Sequence, residues 1–130
     1  METTPISEAE AMVMEVLWRS SPRSAEEVIA ALADATGWAE PTVKTLLNRL
    51  LNKGAISAEK DGRRYLYSPV LRRDAWVQQQ SVGLLARLFG GRVAPLVAHF
   101  SERGQLSAAD IAELKRLVAE LDGKESDHER

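Results

Sequence analysis

The 130-residue chain carries 17 basic and 19 acidic side chains, for a net charge of −2, and is 45% hydrophobic, 5% aromatic and 28% charged. That length admits one compact domain with a helical appendage but not two large domains, and the composition is that of a folded, helix-rich chain rather than a disordered one. The absence of cysteine excludes disulfides, thiolate metal sites and cysteine nucleophiles, and it fits a cytoplasmic setting.

The start, "METTPISEAE", is polar and acidic where a signal peptide needs a basic start and an apolar core. No apolar run approaches the roughly 20 residues of a membrane span, so no membrane binding is expected. Ser7 with Glu10 forms a capping-box pattern, and Val13, Val16 and Leu17 recur behind it at helical spacing, which predicts a first helix from Ser7 to Arg19. "SSPRS" breaks the chain. Ser24 with Glu27 repeats the pattern ahead of Val28, Ile29 and Leu32, predicting a second helix that ends near Gly37.

Pro41 suits the opening turn of a third helix, "TVKTLLNRLLNK", which Gly54 stops. Two runs with alternating character, Ile56 to Lys60 and Arg64 to Ser68, flank Asp61-Gly62, a strong hairpin signal. Three further helices follow. They are Asp74 to Phe89, broken by Gly90-Gly91, then Val93 to Glu102, and last the segment capped by Ser107 with its stripe from Ile111 to Leu121. The predicted architecture is mainly α with a small β-hairpin. A winged helix-turn-helix domain spans residues 1–70, a helical dimerisation region 71–122, and a charged tail, predicted disordered, begins at Gly123 and covers 123–130.

The charge is unevenly spread. From Pro41 to Arg73 there are eight basic residues and two acidic ones, a local charge of +6 in a chain whose remainder carries −8. A localised basic segment is the electrostatic footprint of a nucleic-acid binder. On the third helix, Val43, Leu46, Leu47 and Leu50 share one face, which must be the core side. Opposite or flanking them stand Thr42, Lys44, Thr45, Asn48 and Arg49, and Arg63 and Arg64 follow the hairpin turn. Threonine methyls and asparagine amides suit base edges, and the cations suit phosphates. A competing reading, in which a hairpin arginine pairs with Glu59, can hold for at most one of the two.

The stretches "ISEAEAMVMEVLW", "WAEPTVKTLLNRLLNKGAI", "KDGRRYLYSP" and "LVAHF", in this order and spacing, resemble the penicillinase repressor family from about Ile6 to Leu121. The resemblance implies a homodimeric winged-helix repressor on a double-stranded operator of inverted repeats. Thr42, Lys44, Thr45, Asn48 and Arg49 then match the family's recognition helix, and Arg63 and Arg64 its wing. It also implies a membrane sensor-protease upstream, with induction by cleavage between asparagine and phenylalanine. The matching pair here is His99-Phe100, whose first residue departs from that pattern. The cysteine ligands of the copper-responsive branch are absent.

Val77, Leu84 and Leu88 on the fourth helix, Leu96 and Phe100 on the fifth, and Leu114, Leu117 and Leu121 on the last offer more apolar surface than three short helices can bury among themselves. A second copy is expected to cover it. The other reading is a self-contained three-helix cap. His99, among apolar neighbours, is read as packed and hydrogen-bonded. No glycine-rich phosphate loop and no histidine pair with metal-ligand spacing is present, so neither enzyme activity nor a cofactor or metal is expected. Two alternatives stand beside the repressor reading. One is a winged-helix module that binds protein, and the other is a repressor with a small ligand near Trp76 and Phe100.

Overall fold

The structure of the protein, a computed structural model, describes residues 5–128. The elements run α1 (Glu8–Arg19), β1 (Arg23–Ser24), α2 (Ala25–Thr36), α3 (Glu40–Asn52), β2 (Ile56–Asp61), β3 (Arg64–Pro69), α4 (Arg73–Leu88), α5 (Val93–Glu102) and α6 (Ala108–His128). Two compact units divide the chain, Met1–Gln79 and Gln80–Arg130.

Both N-terminal capping boxes form. The Ser7 N–H donates to Glu10 Oε1 at 2.6 Å while the Glu10 N–H donates to Ser7 Oγ at 3.1 Å, and Ser24 with Glu27 makes the same reciprocal pair. Each satisfies two helix-end donors that would otherwise lack partners. Between these helices the chain does more than break. Arg23 and Ser24 pair antiparallel with Tyr67 and Leu66, adding a third strand in the order β1-β3-β2. A two-residue strand has no periodicity for a sequence to show.

The core of the first unit is the meeting of three apolar helix faces. Val13, Met14 and Leu17 of α1, Val28 and Leu32 of α2, and Val43, Leu46, Leu47 and Leu50 of α3 are all buried, with Ile56 and Leu71 closing the sheet side. The unit extends into α4, past the predicted limit at residue 70, because the start of that helix is fastened to α1. Trp18 Nε1 donates to the Leu71 carbonyl at 2.8 Å, the Trp18 and Trp76 rings lie 5.4 Å apart, and Arg73 Nε donates to Glu15 at 2.8 Å.

The second unit has a different character, since none of residues 80–124 is buried. Helix α6 continues through Gly123 to His128, where the sequence predicts a disordered tail. A glycine inside a helix costs only about 1 kcal/mol relative to alanine, and no proline follows to block the hydrogen-bond ladder. Glu129 and Arg130 lie outside the described residues.

Among the described residues of the first unit, one charge is buried. Glu10 is 1% exposed, and its Oε1 accepts from Lys53 Nζ at 2.6 Å, while that ammonium also donates to the Pro5 carbonyl at 2.9 Å. Burial pushes the Glu10 carboxyl up, but the hydrogen bonds from Lys53 and Ser7 outweigh it and hold the group below its ordinary value. A carboxyl with a depressed folded pKa contributes stability above its unfolded value of about 4.3, and that contribution disappears as pH falls through the folded value. Lys53→Ala strands a buried carboxylate and is expected to cost about 2–3 kcal/mol at neutral pH. Urea midpoints at fixed protein concentration check this, and the gap to the parent narrows below about pH 4 as Glu10 is protonated in both proteins.

Candidate nucleic-acid interface

Helix α3 begins at Ala39, an N-cap in extended backbone whose side chain makes no capping bond, with Pro41 in the first turn where a missing donor is harmless. Its end is closed by backbone. The Ala55 N–H donates to the Leu50 carbonyl and the Gly54 N–H to the Leu51 carbonyl, with Gly54 at φ +75°. Val43 and Leu50 are fully buried and Leu46 and Leu47 nearly so, and this fixes which way the opposite face points.

On that opposite face Thr42, Lys44, Thr45, Asn48 and Arg49 are all exposed, as the helical period predicts. They are not equally free. The Thr45 hydroxyl donates to the Pro41 carbonyl at 2.9 Å, which leaves its oxygen to accept and its methyl for apolar contact. Lys44 Nζ lies 2.7 Å from Glu40 Oε1. The hydrogen bond and charge of Glu40 raise the ammonium's pKa and lower that of the carboxyl. Arg49 has no ion-pair partner among the described residues.

The hairpin turns one residue later than the sequence predicts. Asp61 pairs with Arg64, so the loop is Gly62-Arg63 rather than Asp61-Gly62. Gly62 has φ +64° and no other residue type has positive φ among the described residues, a pattern that matches the hairpin turn with glycine first. Arg63 therefore occupies the tip itself and has no partner among the described residues. Arg64, which opens β3, reaches Asp61 Oδ2 at 3.4 Å, not Glu59. Lys60 on β2 is a further exposed cation without a partner among the described residues. The sequence counted it within the basic segment but assigned it no task.

The family model described as penicillinase repressor matches residues 6–120. The chain belongs to that family. It is 36% identical over 115 residues to the penicillinase repressor of Bacillus licheniformis, a match covering 88% of this chain and 90% of the relative. The solution structure of the DNA-binding domain of the repressor BlaI is similar at 38% identity and a TM-score of 0.52, covering 55% of this chain and 88% of that one. That of monomeric Bacillus licheniformis BlaI in complex with the blaP half-operator is similar at 37% identity and a TM-score of 0.50, covering 56% and 89%. Three helices with a three-stranded antiparallel sheet are the winged helix of this repressor family.

The apolar residues predicted to meet a second copy fall in several places. Val77 lies on α4 in the first unit. Within the second, Leu96, Phe100, Leu114 and Leu117 line one groove of about 390 Å³ between α5 and α6, and Leu84, Leu88 and Leu121 are exposed, Leu88 at 67%. A second groove of about 460 Å³ is lined by Leu106, Ile111, Leu114 and Val118. His99 is exposed, contrary to the packed position expected of it. Among the described residues its ring meets Phe89 at 6.0 Å and Phe100 at 5.6 Å, and these two contacts leave it exposed. His99 and Phe100 sit inside α5. Trp76 is half-buried against the core, its ring tilted on that of Trp18. No group of metal-ligating side chains occurs among the described residues, and no single described helix is long and apolar enough to cross a membrane.

A Cβ at Gly62 would meet nothing within 4 Å, so replacing it tests backbone strain alone. Gly62→Val is expected to cost about 1–2 kcal/mol and Gly62→Asn markedly less. Urea denaturation of the two variants checks the order.

Proposed function

We propose that the protein is a sequence-specific DNA-binding transcriptional repressor, cytoplasmic, acting as a homodimer on an inverted-repeat operator. The observation that carries this reading is the exposed face of α3 beside a wing whose tip arginine has no partner among the described residues, in a family whose matched members include the penicillinase repressor of Bacillus licheniformis. A similar chain has been solved on a half-operator. In this reading Thr42, Thr45 and Asn48 meet base edges in the major groove, and Arg49 and Arg63 neutralise phosphates. Lys44 and Arg64 join them only by leaving Glu40 and Asp61. A protein-binding winged helix would instead need an apolar exposed face on α3, and the residues there are polar.

The homodimer rests on the second unit. Side chains such as Leu88, Val118 and Leu121 stand in water in the single chain, and covering each is worth roughly 1.5–3 kcal/mol. Two copies also double the base contacts that one winged helix can make. The family resemblance adds a membrane sensor-protease upstream. Cleavage at His99-Phe100 would require α5 to open, since the bond lies within a helix and proteases take extended chain.

Selection from random duplexes at moderate salt is expected to return an inverted repeat of fixed spacing. Recovery of no motif, with binding that vanishes on modest addition of salt, would favour a protein partner. Arg63→Ala is expected to weaken all duplexes about equally and to lower the salt slope by about one, whereas Asn48→Ala relaxes preference at one base position by about 1–3 kcal/mol. Leu117→Glu is expected to shift the protein to monomer in sedimentation while leaving the N-terminal fold's circular dichroism intact.

A further inference from the structure

The DNA-binding reading leaves one acidic side chain of α3 without a task. Glu40 opens the helix, one turn before Lys44, and the two form the 2.7 Å ion pair with side chains 59% and 55% exposed. An exposed pair at this spacing stabilises a helix only slightly, so stability alone is a weak account of it.

The surroundings suggest another. The α3 terminus has no side-chain cap and presents the positive end of the helix dipole, which attracts any phosphate regardless of sequence, although Pro41 has no N–H and the Thr42 N–H donates to the Ala39 carbonyl. Glu40 lies in that same turn. Glu40, and beyond it Glu26 on α2, act on the Lys44 ammonium, so the cation sits in a negative local field. On the other flank Arg49, and at the wing tip Arg63, have no such neighbour among the described residues. The surface is thus split into a neutralised N-terminal end of α3 and the unpaired cations Arg49 and Arg63.

We propose that Glu40 is a specificity-determining residue: it holds Lys44 and opposes phosphate at the α3 terminus, suppressing sequence-independent binding so that the base-facing residues decide where the protein rests. The inference builds on the DNA-binding reading. Its physical basis is that non-specific affinity comes from phosphate neutralisation. A lysine that must abandon a carboxylate to reach a phosphate, and leaves that carboxylate facing the backbone, neutralises nothing on balance. Specificity then grows by weakening the competitor, not by strengthening the site.

The test compares parent, Glu40→Gln and Glu40→Gln/Lys44→Ala on a random-sequence duplex pool and on the inverted-repeat duplex recovered by selection, across a salt series. Glu40→Gln is expected to bind the random pool roughly three- to tenfold tighter with a salt slope steeper by about one. Its preference for the inverted repeat falls correspondingly, and the double variant loses the gain. Unchanged affinity and slope on the random pool would overturn the proposal. So would a loss confined to the inverted repeat, which would make Glu40 a base reader. A parent protein that binds neither duplex would instead sink the DNA-binding reading, and this inference with it.

Discussion

Everything on the side proposed to face DNA depends on how α3 is seated. Four of its side chains, Val43, Leu46, Leu47 and Leu50, are buried against α1 and α2. With a period of 3.6 residues, fixing one face of a helix fixes the other. The N-terminus of α3 has no side-chain cap, so its position comes from packing, at roughly 1.5–3 kcal/mol for each buried aliphatic side chain. The C-terminal end is held by chemistry of another kind. Lys53, its C-cap residue, donates to a carboxylate buried at the start of α1. The capping box that starts α1 and the ion pair that steadies the end of α3 therefore share one residue, Glu10, and a change there is felt in both helices.

The wing is tied to the same core by backbone. The Ala55 carbonyl accepts from the N–H groups of both Val70 and Leu71, closing the hairpin at its base, and β1 pairs along β3 on the other side. This leaves the tip as the part of the hairpin that projects, and there the chain places glycine followed by arginine. The paired cations, Lys44 and Arg64, each have an acid within one turn or across the strand pair, whereas Arg49 and Arg63 do not. A local charge of +6 thus overstates the number of cations free to meet phosphates.

Much of this was legible in the sequence because it follows from period and capping. The three helices of the first unit, their caps at Ser7 and Ser24, and the division of α3 into buried and exposed faces all arise from local pattern. The features it did not disclose depend on partners distant in sequence or on one-residue register. The strand at Arg23–Ser24 exists only because β3 lies beside it. The Glu10–Lys53 pair joins residues 43 apart. The turn at Gly62-Arg63 rather than Asp61-Gly62 moves Arg63 from just after the turn into the turn itself, a shift of one position that the dipeptide rule could not resolve. The continuation of α6 past Gly123 shows the converse, that a single glycine marks a helix end only when packing or a following breaker agrees.

The contrast between the two units bears on how repression could be released. The first unit has a core built from three helices and a sheet, while no residue from 80 to 124 is buried within the single chain. On the proposed reading, the stability of the second unit is inseparable from association, so its folding and dimerisation form one equilibrium that depends on protein concentration. The N-terminal unit has its own core and need not unfold when that equilibrium is disturbed. A cut or a displaced helix in the second unit would then leave the DNA-reading surface intact and remove only the second half-site, and because two half-site free energies add on one operator, their separation lowers occupancy far more than it lowers the affinity of either half. Such a switch needs no conformational signal to travel to α3.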